Sequence, residues 1–452
     1  MILTQLTAVS PIDGRYAAKT EMFREFFSEF ALVKYRVKTE IEYFIALCEF
    51  PLPQLADFDK TLFPVLRKVY IDFSADDALK VKEIEKVTNH DVKAVEYFLR
   101  DVFTEMKIDR YSEFIHFGLT SQDINNTAFP MMLRDAHLNV VAPILNEVAA
   151  KILELSIQWK NIPMLAHTHG QPASPTKLGK EMFVFYERLK KQMVMMDNIP
   201  FEGKFGGATG NFNAHKVAYP DVDWSDFGNR FLQEKLSLKR QYTTTQIEHY
   251  DMLAAYCNAM TRVNNILTDL DRDMWTYISM DYFKQVVKKN EVGSSAMPHK
   301  VNPIDFENSE GNLGMANAIF SHLANKLPIS RMQRDLTDST VLRNIGMPLS
   351  YSVIAYSSLL KGLGKIYVNE AKLSADLENN WAVIAEAIQT ILRREFYPNP
   401  YEALKQLTRG SQLINQETLL NFIDGLDVKD SVKEELRNLA PSNYTGIDVV
   451  MD

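Results

Sequence analysis

Apolar residues recur at steps of four and three along most of this chain. The clearest run is Leu253, Cys257, Met260, Asn264, Leu267, Asp271, Met274 and Ile278. That spacing is a heptad-like seam along one face of a long helix. No proline stands between Pro220 and Pro298, so the helix is free to reach on the order of 50 Å at 1.5 Å per residue. Asn264 and Asp271 are the polar exceptions on the seam, and Tyr256, Val263, Leu270 and Tyr277 form a second stripe beside it. Two stripes call for more than one neighbour, as in a bundle, and the seam is long enough to take a partner from another subunit. The same period in Leu178, Met182, Phe185, Leu189, Met193 and Met196 predicts a helix over 177–197. Leu342, Ile345, Leu349, Val353, Tyr356, Leu360 and Leu363 predict a third, which Pro348 should bend. Helices are also expected over 123–159, with Pro130 and Pro143 as kinks or near ends, and over 303–325, with Pro303 as first residue.

The flanking regions read as shorter helices. Residues 1–20 are expected to be an extended arm with a turn at Pro11 and Asp13-Gly14. Phe23, Phe26, Phe27, Phe30 and Leu32 mark a helix over 21–50, and another covers 59–72. Ser74 with Asp76 and Asp77 caps the next, and Thr88 or Asn89 caps a fresh helix from His90 onward. The junction between a first and a second domain falls near Gly118 to Asp123, where Thr120 or Ser121 can cap. A last helical region begins after Asn369 and ends with Ser411 and Asn415 as further caps. Alternating strand-like stretches are few and short. The fold expected is all-α, with an N-terminal helical domain over 1–115, a central long-helix bundle over 116–366 and a C-terminal helical domain over 367–452.

Composition narrows the picture. The net charge of −8 argues against a nucleic-acid-coating surface, and two cysteines exclude a disulfide scaffold and a thiolate zinc site. No charged-plus-apolar leader and no apolar run of about 18 residues is present, which points to a soluble, cytoplasmic chain without a membrane partner.

Chemistry concentrates in the loops. "GSSAMPHKVNP", Gly293 to Pro303, lies between two helices and carries Ser294, Ser295, Lys300 and Asn302. Such a loop can close on an anion, with Lys300 and the next helix start as its positive side; it also reads as a plain solvated connector. "TSQD", Thr120 to Asp123, places hydroxyls at a helix start, where a phosphate or carboxylate can bind. His90 stands beside Asp91 at another helix start, and the helix end and the carboxylate pull its protonation in opposite directions. "HTHGQP" packs His167, His169 and Gly170 together, but the sequence offers no third ligand for a metal. "FEGKFGGATGNFNAH" lacks the preceding strand and glycine spacing of a dinucleotide site and is not a phosphate loop of the nucleotide-triphosphatase type. Arg331, Arg334 and Arg343 crowd a segment that also holds Thr337, Ser339 and Thr340, with a helix expected to start near Ser339.

Taken together, "GSSAMPHKVNP", "TNHDVKAVEYFL", "TSQDINN", "HTHGQPASPT", "TTTQIE" and "RDLTDSTVLRN" resemble the motifs of the fumarase/aspartase superfamily and, within it, of the adenylosuccinate lyase family. The likeness runs over essentially the whole chain. It implies an all-helical, three-domain fold whose central bundles join four subunits, with active sites shared between chains. It implies cleavage of adenylosuccinate to AMP and fumarate, and of SAICAR to AICAR and fumarate, in purine synthesis, with no cofactor and no metal. Ser294 then matches the general base and His169 the general acid. His90 matches a second histidine that binds or polarises substrate, and Glu307 a glutamate that orients the catalytic histidine. Arg15, Tyr16, Arg334, Ser339 and Arg343 match the phosphate site. Thr120, Ser121, Gln246, Lys300 and Asn302 match the succinyl and carboxylate contacts, and Asp91 the purine or carboxamide side.

Those residue types suit the chemistry. Eliminating an amine beta to a carboxylate takes a base at carbon, an acid at nitrogen and cations around the carbanion. A serine must be activated for that role by a cationic, desolvated surrounding. Two other readings stay open: a different fumarate-releasing lyase such as argininosuccinate lyase, fumarase or aspartase, or a non-enzymatic helical scaffold. The first would leave Arg334, Ser339 and Arg343 without a phosphate to bind, and the second would lack the base or acid.

Overall fold

A computed structural model describes residues 2–286, 300–409 and 414–451 of the chain. The predicted serine base Ser294, its neighbours Gly293, Ser295 and Pro298, and the predicted cap Ser411 lie outside these residues. The described chain is predominantly helical; its strands are two- and three-residue pairings. Contacts divide it into two compact units. One comprises Met1–Leu145, Gln192–Asn265 and Gly311–Ser357, the other Asn146–Lys191, Ile266–Glu310 and Ser358–Asp452.

The periodic stretches form the long helices. Leu178–Asp197 buries all six residues of its predicted stripe. Asp251–Ser279 buries its seam from Cys257 to Met274 and, in its second stripe, Tyr256, Val263 and Leu270. One chain therefore covers most of that seam, and the need for another subunit does not follow from it. The polar exceptions differ. Asn264 accepts from Tyr356 Oη at 2.5 Å and donates to Ser352 Oγ at 3.1 Å, so its amide is satisfied inside the core. Among the described residues both carboxylate oxygens of Asp271 are buried without a well-formed hydrogen bond, and the Ser309 hydroxyl only partly offsets that burial. Burial pushes that carboxyl from 3.8 up to about 8.

The sign of this shift gives a test. A carboxyl with a raised folded pKa supports folding most at low pH, and that support is lost as pH rises from about 4 towards 8. Asp271→Asn removes the titration. The difference in thermal midpoint, variant minus wild type, should grow in the variant's favour between pH 5 and pH 8. A difference independent of pH would show that Asp271 does not titrate there.

Several expected elements change at their ends. The 123–159 helix is Ser121–Ala136, a π turn at His137–Val141, and Ala142–Gln158. Pro143 cannot donate to the carbonyl four residues back, and the wider turn before it resets the ladder. Pro348 stands in the first turn of its helix and not in its interior. Gly346–Leu363 begins two residues earlier, so the missing N–H is one that the first turn leaves unpaired anyway. Ile304–Lys326 starts just after Pro303, whose carbonyl accepts from Glu307 N at 3.2 Å. Residues 2–20 wind through successive turns rather than extend, with Gly14 N donating to Ser10 O at 3.0 Å.

In the first unit, Ser28 caps Glu29–Glu49, and Ser74 and Asp77 form the expected reciprocal cap of Ala75–Thr88. In the second, Trp381, Ile384, Ile388, Leu392, Leu419, Ile423 and Leu436 form the core of the C-terminal helices. No helix of the described residues is long and apolar enough to cross a membrane.

Candidate active site

The first unit holds a cleft of about 500 Å³ lined by His90, Asp91, Ser121, Arg334, Ser339 and Arg343, together with Arg36 and Asn125. Six predicted site residues from three separate motifs thus meet in one place.

His90 arrives there through its backbone role. Asn89 ends the preceding helix in a left-handed conformation, φ 49°. His90 itself, rather than Thr88 or Asn89, is the N-cap of Asp91–Glu105. Its Nδ1 accepts from Lys93 N at 3.1 Å. An accepting Nδ1 carries no proton, so the neutral ring has its hydrogen on Nε2. Nε2 lies 3.4 Å from Ser121 Oγ. The tautomer therefore presents a donor towards the Ser121 side of the cleft.

Thr120 is the N-cap of Ser121–Ala136, and Asp123 fixes that start. The Asp123 carboxylate accepts from Thr120 N at 2.8 Å, Gly206 N at 2.8 Å and Gly207 N at 3.1 Å. Lys204 Nζ closes the network at 2.7 Å, with both side chains fully buried. The Gly-rich segment at 203–210 thus anchors the hydroxyl-bearing helix start. Its positive-φ glycines, Gly207 at 78° and Gly210 at 80°, permit the tight path.

The arginines close the other side. Arg334 donates to Gln246 Oε1 at 3.3 Å and to Ser339 Oγ at 3.2 Å, which ties three predicted residues together. The helix near Ser339 runs from Thr337 to Leu342, two residues earlier than expected, with Arg343 just past its end. Arg343 pairs with Glu29 at 2.6 Å and with Asp91 at 3.3 Å. Asp91 is also held by buried Arg36 at 2.7 Å. Burial alone would raise the Asp91 carboxyl, but the charge and hydrogen bond of Arg36 hold it below the ordinary carboxylate value. Arg15 and Tyr16 are not in this lining. A second cleft, which shares Arg343, is bordered by the nearby Ser10, Ile12 and Asp13.

Three residues of importance to this geometry escaped the sequence reading: Arg36, Asp123 as an anchor, and Lys204. Arg36 had a signal. It falls in step with Leu32, Thr39 and Tyr43, so a charge stands on the buried face of its helix. Lys204 had none, because nothing local marks a buried partner.

The second unit carries the remaining described candidates. His169 and Gly170 form the two-residue turn of a hairpin, with φ of 55° and 73°, between His167–Thr168 and Gln171–Pro172. The His169 ring is exposed and has no hydrogen-bond partner among the described residues. Lys300 is exposed, Asn302 is partly buried, and Glu307 lies in the first turn of its helix, accepting from Trp275 Nε1 at 3.1 Å. Among the described residues no group of three or more His, Cys, Asp or Glu could hold a metal ion.

Residues 14–319 match the family described as Lyase, and residues 330–445 the family described as Adenylosuccinate lyase C-terminal. In fold the chain is similar to the 3-carboxy-cis,cis-muconate lactonizing enzyme of Pseudomonas putida, with a TM-score of 0.74, 95% of each chain covered and 18% identity. The family match over residues 14–319 places it in the broad lyase class. The similarity to adenylosuccinate lyases is far higher. It is 54% identical to that of Dictyostelium discoideum, over 98% of this chain and 97% of the relative. It is 46% identical to that of Escherichia coli strain K12, over 100% and 99%. The chain belongs to the adenylosuccinate lyase family.

Proposed function

We propose that this chain is a carbon–nitrogen lyase that releases fumarate from adenylosuccinate, leaving AMP, and from SAICAR, leaving AICAR. The observation that carries the substrate assignment is the cleft in which His90, Asp91 and Ser121 face Arg334, Ser339 and Arg343. Arginine forks beside a hydroxyl suit a phosphate dianion, which fumarase, aspartase and argininosuccinate lyase substrates lack.

In this reading Ser294 takes the proton from the succinyl carbon next to the C–N bond. The electron pair forms the new double bond, the C–N bond breaks, and His169 returns a proton to the leaving nitrogen. Lys300, Asn302, Thr120, Ser121 and Gln246 hold the succinyl carboxylates while negative charge builds up. His90 donates through Nε2 to the substrate, and Asp91 reads the purine or carboxamide edge. Glu307 orients the catalytic histidine, and Arg15 and Tyr16 complete the phosphate end. The organisation proposed with it is three helical domains, 1–115, 116–366 and 367–452, and a cytoplasmic homotetramer with sites built from several chains. Exposed Val194, Met195, Trp275 and Met315 on the long helices supply apolar surface for such an assembly.

The direct test is fumarate release, followed by absorbance, on adding adenylosuccinate, with argininosuccinate as control. A second test addresses the phosphate end. A charge-assisted hydrogen bond is worth roughly 2–3 kcal/mol when its partner is left unpaired. Arg343→Met should therefore weaken AMP binding by about 30- to 150-fold, and fumarate binding much less. Equal losses in the two titrations would assign Arg343 to holding the fold and remove the main support for a nucleotide substrate.

A further inference from the structure

We propose that Glu29 is a displaceable counter-ion of Arg343, and that it sets how tightly the cleft takes a phosphate-bearing ligand. The proposal rests on the reading of Arg343 as a phosphate cation. Arg343 Nη1 donates to Glu29 Oε2 at 2.6 Å, and its Nη2 to Asp91 Oδ2 at 3.3 Å. Neither carboxylate depends on Arg343 alone. Lys82 Nζ lies 3.2 Å from Glu29 Oε1 and 2.5 Å from Glu85 Oε2. Arg36 Nη2 lies 2.7 Å from Asp91 Oδ2. The charges alternate as Glu85, Lys82, Glu29, Arg343, Asp91 and Arg36, of which Glu85, Arg343, Asp91 and Arg36 line the cleft.

Signs and burial assign the parts. A phosphate dianion on Arg343 meets two carboxylates already in place, and like charges at such distances repel. Asp91 is fixed, since Arg36 is almost fully buried and also donates to Asn125 Oδ1 at 2.9 Å. Glu29 is free to leave. It is the first residue of its helix, its side chain is 42% exposed, and its other oxygen already faces Lys82. In the free chain Glu29 neutralises Arg343 and holds it. When the anion arrives, the guanidinium changes partner and Glu29 falls back on Lys82. The binding energy of the phosphate is reduced by the pair it must break.

The two neighbours should therefore act with opposite sign, which a mere structural role would not produce. The measurement is calorimetric titration of AMP into wild type, Glu29→Gln, Lys82→Met, the double variant and Arg343→Met, with fumarate titrated in parallel. Glu29→Gln should bind AMP roughly two- to fivefold more tightly, the range expected for an exposed ion pair. Lys82→Met should bind it more weakly by a similar factor, because Glu29 then has nowhere else to go. In the Glu29→Gln background the Lys82 change should have little further effect, and fumarate binding should not move. If Glu29→Gln weakens or leaves unchanged the binding of AMP while Arg343→Met still abolishes tight binding, Glu29 is a support for Arg343 and the proposal fails alone. If Arg343→Met leaves AMP binding unchanged, the phosphate reading fails and takes this proposal with it.

Discussion

Replacing Asp123 with alanine is expected to lower the unfolding free energy by about 3–5 kcal/mol, the usual consequence of stranding one member of a buried ion pair. Asp123 and Lys204 are both fully buried, so the orphaned ammonium could not reach water without a rearrangement. Three backbone N–H groups, of Thr120, Gly206 and Gly207, would lose their acceptor at the same time. Lys204→Met should cost less. The carboxylate would keep those three donors, and methionine fills much of the lysine's volume. Urea unfolding curves on both variants measure the difference. The functional effect should follow the same order, because the Asp123 network fixes the helix start that carries Thr120 and Ser121: KM should rise more in Asp123→Ala than in Lys204→Met. Equal destabilisation by the two changes, or less than about 1 kcal/mol for Asp123→Ala, would mean that the carboxylate is not the anchor.

Ser294→Ala should bind substrate almost as wild type does while turnover falls by several powers of ten. Removing a general base typically costs about 10²- to 10⁴-fold, and Ser294 has no equivalent neighbour in the proposed mechanism, so the loss should reach the upper end. Ser295→Ala should be much milder. Equal losses, or a larger one at Ser295, would reassign the base. His169→Ala should be comparably inactive. If the sites draw on several chains, refolding the two inactive variants together should restore some activity, since mixed oligomers then contain sites with both groups intact. No recovery on mixing, or sedimentation as a monomer, would remove the shared-site assembly.

The helices were legible because side-chain period reports burial directly. The run from Leu178 to Met196 needed no tertiary information: each residue at a step of three or four faces the interior. The Ser74–Asp77 cap was legible for the same reason, its partners being three residues apart. The helix ends at 136–142 and at 346 were not. A proline is compatible with a kink, a π turn or a first turn, and only the packing around it selects one.

The candidate site divides in the same way. Sequence alone determined the residue types that meet in the cleft, since hydroxyls at a helix start, a histidine beside an aspartate and paired arginines are local patterns. Their pairings were decided by the fold. Arg36 reaches Asp91 across 55 positions and Asn125 across 89, and Lys204 reaches Asp123 across 81. Sequence left His90 between two opposed electrostatic effects. The fold decided which ring nitrogen faces the backbone, by making Nδ1 the acceptor of a helix cap and turning Nε2 towards Ser121. A charge or a ring nitrogen has no preferred partner until folding brings one within about 3 Å and removes the competing water. For that reason the periodic pattern specified the scaffold, and only the tertiary structure specified which polar groups on it are paired, buried or left to bind a ligand.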